Sequence, residues 1–346
     1  MTPSLSKPIK LSMATAWRTY NGGSKIRELH GEAGTEDNNF PEEWIMSTVR
    51  ARNSGREDIV EGISMLEGYD ISLAELIESD PVGALGRDHY ERYGSKLGVL
   101  VKIIDSAERL TVQVHPTREK AKTLFGSTFG KTECWHILGG RCIDGEDPYI
   151  YFGFKEGVTR EIWKNCFDRQ DIPAMLDCLH KFPVKPGDTY LIEGGIPHAI
   201  GSGCFLVEIQ EPTDYTVRTE RVTPRGLPVA DFMCHQGLGF DRMFDCFEYN
   251  GYSAEAVEAR WNIKRRGDTI IDSTSTDMFG LKMKDIDGEE YITSEGKFSG
   301  IYILEGEGRL DGKDVKAADQ FFIPAACPGF KIEGKLRYIQ YFGPTK

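Results

Sequence analysis

From Leu110 to His115 the chain alternates strictly, with Leu110, Val112 and Val114 apolar and Thr111, Gln113 and His115 polar. A period of two predicts a strand that buries one face and presents a hydroxyl, an amide and an imidazole on the other. An amide oxygen and an imidazole two residues apart point the same way and are candidate ligands of one metal ion. A solvated strand face is the competing reading. Helical periodicity is confined to two places. Ser72 and Glu75 have the spacing of a capping box ahead of Leu73, Leu76 and Ile77, and Asp80-Pro81 opens a second start, which predicts a small helical insertion near residues 72–96. Over 159–180, Ile162, Trp163, Cys166, Phe167, Met175, Leu176 and Leu179 recur at helical spacing and predict a further helical segment whose aromatic stripe is packing. The remainder, including 187–193, 205–210, 215–218, 300–304 and 320–324, consists of short apolar or alternating runs between Gly and Asp turns, so a mainly β architecture is expected.

At 346 residues the chain is long enough for two cores. The periodicity weakens around 237–239 and again at 265–268. This predicts a first domain over 1–240, a connection over 241–265 and a second domain over 266–346. A net charge of -12 argues against a nucleic-acid or anionic-membrane surface, while leaving room for a local basic pocket. The first thirteen residues lack the pattern of a secretory signal and no apolar stretch is long enough to span a membrane, so a cytoplasmic location is expected. Eight cysteines without a CxxC pair read as reduced, structural thiols. The run 126–132 has three residues between its glycines where a Walker A loop needs four, which excludes a nucleotide site there. His136 falls on the strand face opposite Glu133, and His30, His89, His180 and His235 have no chemistry-bearing neighbourhood in the sequence, so these five are set aside.

Two segments share one design: a turn, an apolar strand and a tight corner. They are 187–198, which ends Ile196-Pro197-His198, and 318–329, which ends Cys327-Pro328-Gly329. Both resemble the second motif of the cupin superfamily, in which the corner delivers a histidine to a metal. The resemblance implies two jelly-roll barrels. The first keeps His198; the second has Gly329 at that place and is expected to hold no metal. The cupin first motif falls on Gln113-Val114-His115, followed by Lys131-Thr132-Glu133. Gln113, His115, Glu133 and His198 then converge in one barrel, a set of two imidazoles and two oxygens that suits Zn²⁺, with iron and manganese as close competitors.

Residues 112–116, 130–135 and 197–200, continued by Glu208-Ile209-Gln210 and Asp214-Tyr215-Thr216-Val217-Arg218, resemble class I mannose-6-phosphate isomerases. Gly22-Gly23-Ser24-Lys25-Ile26 and Glu42-Glu43-Trp44 are similar to that family's opening blocks. The resemblance implies one Zn²⁺ per chain on Gln113, His115, Glu133 and His198, and a small sugar phosphate as substrate. It further implies interconversion of mannose 6-phosphate and fructose 6-phosphate through an enediol. Arg218 matches the family's active-site arginine, and Lys131 and Thr111 its substrate-side lysine and serine. Thr223-Pro224-Arg225 is similar to a family Thr-Pro-Lys, making Arg225 a candidate phosphate contact. Candidates for the proton carrier are Lys131, Glu208 and Asp214, with Glu42 a weaker one that is also a substrate-binding candidate. The alternative function is a non-catalytic cupin that binds a sugar phosphate as a sensor or interaction module.

Overall fold

The computed structural model describes residues 3–345, which form three antiparallel sheets. A six-stranded sheet runs in the order Thr15–Ala16, Glu42–Ile45, Leu100–Asp105, Cys204–Gln210, Glu133–Gly140, Thr189–Ile192. A five-stranded sheet runs Val217–Arg218, Gln113–Val114, His198–Ile200, Tyr149–Phe154, Leu179–Pro183. Their inner faces share one core, in which Phe152 of the second sheet meets Tyr190 of the first and His198 meets Trp135 edge-on at 5.4 Å. The outer face of the five-stranded sheet is covered by the helices Arg160–Arg169 and Ile172–Asp177 and the turn Arg242–Cys246. Val112 and Val114 are fully buried on that helical side. The polar half of their alternation is thereby turned into the space between the sheets.

The insertion expected near 72–96 is three short helices, Leu73–Ser79, Pro81–Leu85 and Arg87–Tyr93, the first closed by a Ser72–Glu75 capping box. The segment expected as helix over 159–180 breaks at Gln170, which takes a left-handed conformation. It restarts at the N-cap Asp171 and ends at Asp177. Leu179 and His180 belong instead to an edge strand paired with Phe154 and Phe152. Residues 241–265 contain the helix Ala254–Trp261, which buries Val257 and Trp261 against the main core.

The third sheet has seven strands and holds the C-terminal residues, but its first member is Ile9–Leu11, paired with Gln320–Ile323. Along Ser299–Leu310, Ile301 and Ile303 enter a separate core while Tyr302 and Leu304 pack on the main one. The suspected internal repeat is visible as strand, corner and strand at Thr189–Ile192 with His198–Ile200 and at Gln320–Ile323 with Gly329–Phe342. All eight cysteines are free, and only Cys142 is exposed. Among the described residues no helix is long and apolar enough to cross a membrane.

Candidate active site

The strands put the site residues in place by register. His198 pairs with Gln113 across one ladder, and Gln113 pairs with Arg218 across the next. On the facing sheet, Glu208 pairs with Lys102 on one side and Trp135 on the other, and Gln210 with Glu133. His115 follows its strand directly. Its position is fixed where the Gly195 amide donates to its carbonyl at 2.7 Å and where Gly194 packs so closely on Pro116 and Thr117 that a Cβ would lie 2.6 Å from the Thr117 nitrogen.

His115, Glu133 and His198 meet with their ligand atoms within 4.8 Å of one another. Glu133 Oε2 is 3.3 Å from His115 Nε2, and Glu133 Oε1 is 3.4 Å from His198 Nε2. Each imidazole directs Nδ1 at a backbone carbonyl, Tyr215 for His115 at 2.9 Å and Ile196 for His198 at 2.8 Å. With Nδ1–H donating, both Nε2 atoms present lone pairs to the carboxylate; Lys131 Nζ meets that of His115 at 3.0 Å, and a metal ion between the rings and Glu133 would satisfy the rest. Both carboxylate oxygens of Glu133 and Nε2 of His198 are buried without a hydrogen-bond partner. Such atoms are expensive to leave unmatched. Burial, with Lys131 next, holds the His115 ring well below its ordinary pKa, and burial does the same to His198, so both rings are in the neutral form that binds metal. Three of the four residues read from the sequence, His115, Glu133 and His198, thus meet, and Gln113 lies opposite His198 across the ladder and lines the adjoining cavity.

A cavity of about 590 Å³ adjoins this cluster through Lys131 and Gln113, while His115, Glu133 and His198 themselves are not in its wall. Thr111, Gln113, Lys131, Glu42, Glu208, Asp214 and Arg218 all line it. Lys131 Nζ is 3.0 Å from His115 Nε2 and 3.5 Å from Glu133 Oε2, and burial lowers its pKa. Glu208 takes hydrogen bonds from Lys102 Nζ at 2.7 Å and Trp135 Nε1 at 3.0 Å; burial and the Glu133 charge raise its pKa. Glu42 is gripped by Arg18 at 2.9 Å, the Tyr20 hydroxyl at 2.7 Å and Trp44 Nε1 at 2.8 Å. Although burial opposes its ionisation, Arg18 and Lys102 prevail and keep it far below the usual carboxylate range. Asp214, 3.9 Å from Arg18, is lowered in the same way against the effect of burial. Arg218 Nη1 donates to the carbonyls of Thr216 and Met233, at 3.1 and 3.0 Å, and no carboxylate among the described residues pairs with it.

Arg225 is the exception. It is not part of the cavity wall: the turn at 223–226 directs it to Glu108 at 2.8 Å and the Thr19 carbonyl at 3.2 Å. Conversely, Arg18, Tyr20 and Lys102 line the cavity and were not legible as site residues. For Lys102 a signal existed, because a single lysine inside the run Leu100-Val101-Lys102-Ile103-Ile104 is buried only when paired.

His136 lies on the other face of the strand that carries Glu133, with Nδ1 2.8 Å from the Thr189 hydroxyl. Burial, helped by Arg265, pushes its pKa down to about 4. A depressed folded-state value means the stabilisation is complete above the ordinary histidine pKa and is lost as pH falls through the window from about 6.5 to 4, up to ~3 kcal/mol. Urea midpoints at pH 7 and pH 4 should therefore differ more for the wild type than for His136→Gln.

Paired antiparallel sheets closing on a buried histidine and carboxylate triad define a metal-binding cupin. Family models carry this further: "Phosphomannose isomerase type I, catalytic domain" matches residues 16–130 and "Mannose-6-phosphate isomerase, cupin domain" matches 269–342. The chain belongs to the type I phosphomannose isomerase family. It is 28% identical to the putative mannose-6-phosphate isomerase YvyI of Bacillus subtilis over 74% of this chain and 79% of that protein. It is 27% identical to the mannose-6-phosphate isomerase of Streptococcus mutans over 75% and 79%. The mannose 6-phosphate isomerase structure from B. subtilis superposes with a TM-score of 0.74 at 23% identity, covering 97% of this chain and 99% of that one. A putative mannosephosphate isomerase from Archaeoglobus fulgidus gives 0.73 at 21%, covering 99% of each.

Proposed function

We propose that this protein is a zinc-dependent aldose–ketose isomerase that interconverts mannose 6-phosphate and fructose 6-phosphate. The observation that carries the reading is the buried cluster of His115, Glu133 and His198, with both Glu133 oxygens and His198 Nε2 unmatched, joined through Lys131 to a cavity rich in basic side chains. Five basic side chains, Arg18, Lys102, Arg109, Lys131 and Arg218, line that cavity with three carboxylates in a chain of net charge -12, Arg109 being paired with Glu220 and Lys131 standing beside Glu133. A cluster of basic side chains on an acidic protein offers a phosphate monoester its charge partners.

Zinc suits the donor set. Two neutral imidazoles and a carboxylate, with no thiolate, are donors that zinc accepts. His115, Glu133 and His198 would hold the ion, each imidazole Nε2 facing its own Glu133 oxygen at 3.3 and 3.4 Å. When bound, the ion supplies Lewis-acid stabilisation of charge on the sugar oxygens. Isomerisation also needs a proton moved between C2 and C1. Lys131 is the best-placed carrier, since burial shifts it toward the neutral amine and its Nζ stands beside the ligand cluster. Glu208 is engaged by Lys102 and Trp135, and Asp214 is held ionised among cations, so both act by fixing charges in the wall. Arg218, which has no carboxylate within ion-pair distance among the described residues although Asp214 acts on it electrostatically, supplies a charge for an anionic group.

Turnover of mannose 6-phosphate and of free mannose, measured before chelation, after it and after zinc replacement, tests the reading. Activity on the phosphate should vanish with the metal and return with it, and the free sugar should react at least ~100-fold less efficiently. Zinc-loaded protein that binds mannose 6-phosphate without converting it would be a sensor instead.

A further inference from the structure

Residues 212–219 supply four parts of the site: Asp214, the Tyr215 carbonyl that takes His115 Nδ1, the Thr216 hydroxyl 3.4 Å from Lys131 Nζ, and Arg218. A buried glutamate stands at each end, Glu211 and Glu220, and neither has a part in the chemistry above. Glu220 takes both terminal nitrogens of Arg109, at 2.6 and 2.8 Å, and the Val112 amide at 2.6 Å, which ties one end to the strand of Gln113. Glu211 does something more specific. Its Oε1 accepts from the Gly130 amide at 3.3 Å and from Arg118 Nε at 2.6 Å, and its Oε2 accepts from the Thr132 amide at 3.0 Å. One fully buried carboxylate therefore holds the backbone amides on both sides of Lys131.

We propose that Glu211 is the positioning residue for Lys131. Residues 130–132 precede the strand Glu133–Gly140 and have no ladder of their own, so their buried amides depend on acceptors supplied from outside. Glu211 provides two. The Glu211 amide adds a bond to the Thr132 carbonyl at 3.0 Å, and the Thr213 hydroxyl adds one to the Gly130 carbonyl at 2.6 Å. A lysine reaches its target through a long flexible stem, so the position of its ammonium is decided by where its Cα is fixed. The ion pair with Arg118, a partly exposed residue, neutralises Glu211 and is separable from the capture of the two amides.

That separation gives the test. Only its kinetic half rests on the isomerase reading. Glu211→Leu removes both acceptor oxygens; it should lower kcat about tenfold with KM nearly unchanged and zinc content intact. Glu211→Gln breaks the ion pair but keeps an amide oxygen for the Thr132 amide, and should restore most of the lost kcat. Arg118→Met also breaks the ion pair but leaves the carboxylate on both amides, and should keep kcat within about twofold of wild type. Hydrogen exchange of residues 129–133 should quicken in Glu211→Leu and stay protected in Arg118→Met. Wild-type kcat in Glu211→Leu, or a tenfold loss in Arg118→Met, overturns the proposal, and the second comparison stands even if the leucine variant does not fold. Should the wild type itself show no turnover, the isomerase reading falls, and the exchange comparison still decides whether Glu211 holds the Lys131 backbone.

Discussion

Glu133→Gln should yield a folded protein that no longer retains zinc and whose turnover is down by at least ~1000-fold. The carboxylate is wholly buried, it accepts no hydrogen bond, and its two oxygens face the Nε2 atoms of His115 and His198. Without a metal, Lys131 at 3.5 Å is the lysine or arginine paired with it among the described residues. In the metal-free state the negative charge is therefore a burden on the fold, and the neutral amide relieves it. The variant should then melt at the same temperature as metal-free wild type or above it. Saturating zinc, by contrast, should stabilise only the wild type, by ~4 kcal/mol at a thousandfold excess over Kd. Thermal melts of both proteins with and without zinc, together with metal content, read the two effects separately. A Glu133→Gln protein that melts well below metal-free wild type would mean that the carboxylate is a structural anchor.

The legible part of this site was the part with a local period. Val112 and Val114 against Thr111, Gln113 and His115 identified both a strand and its working face, because alternation is a property of adjacent residues. The convergence of Glu133 and His198 on that face arises from ladders between strands far apart in the chain, and spacing alone says nothing of it; there the reading rested on resemblance. Lys102, Arg18 and Tyr20 stayed hidden for a physical reason. Each is buried by pairing with a partner chosen in three dimensions, Glu208 for Lys102 and Glu42 for the other two. Arg225 shows the converse error: a motif matched in type but displaced by one residue, with a turn at Gly226 that points the side chain to Glu108. The connection read over 241–265 hid a helix because Ala254–Trp261 buries only Val257 and Trp261, too few apolar positions to establish a period.

Arg218→Ala should lower kcat/KM for mannose 6-phosphate by ~100-fold or more, equivalent to about 3 kcal/mol, while zinc content stays at the wild-type level. Of the five basic residues in the cavity wall, Arg18, Lys102, Arg109 and Lys131 each have a carboxylate within 4.0 Å, and Arg218 has none among the described residues. Its Nη1 is spent on the Thr216 and Met233 carbonyls, which aims the rest of the guanidinium at the cavity. Burial lowers its pKa, yet an arginine remains charged at neutral pH, so the charge is free to meet an anion. Arg218→Lys should recover little, because an ammonium cannot hold two carbonyls and still present a planar pair of donors. The residual rate on free mannose tells which anion is met. If Arg218 binds the phosphate, the alanine variant loses activity on mannose 6-phosphate alone and inorganic phosphate inhibits it less. If it stabilises charge developing on the sugar oxygens, both substrates slow by the same factor. Undiminished turnover of both would remove Arg218 from the reaction and leave the net charge of the cavity, shared among the paired cations, as the source of phosphate attraction.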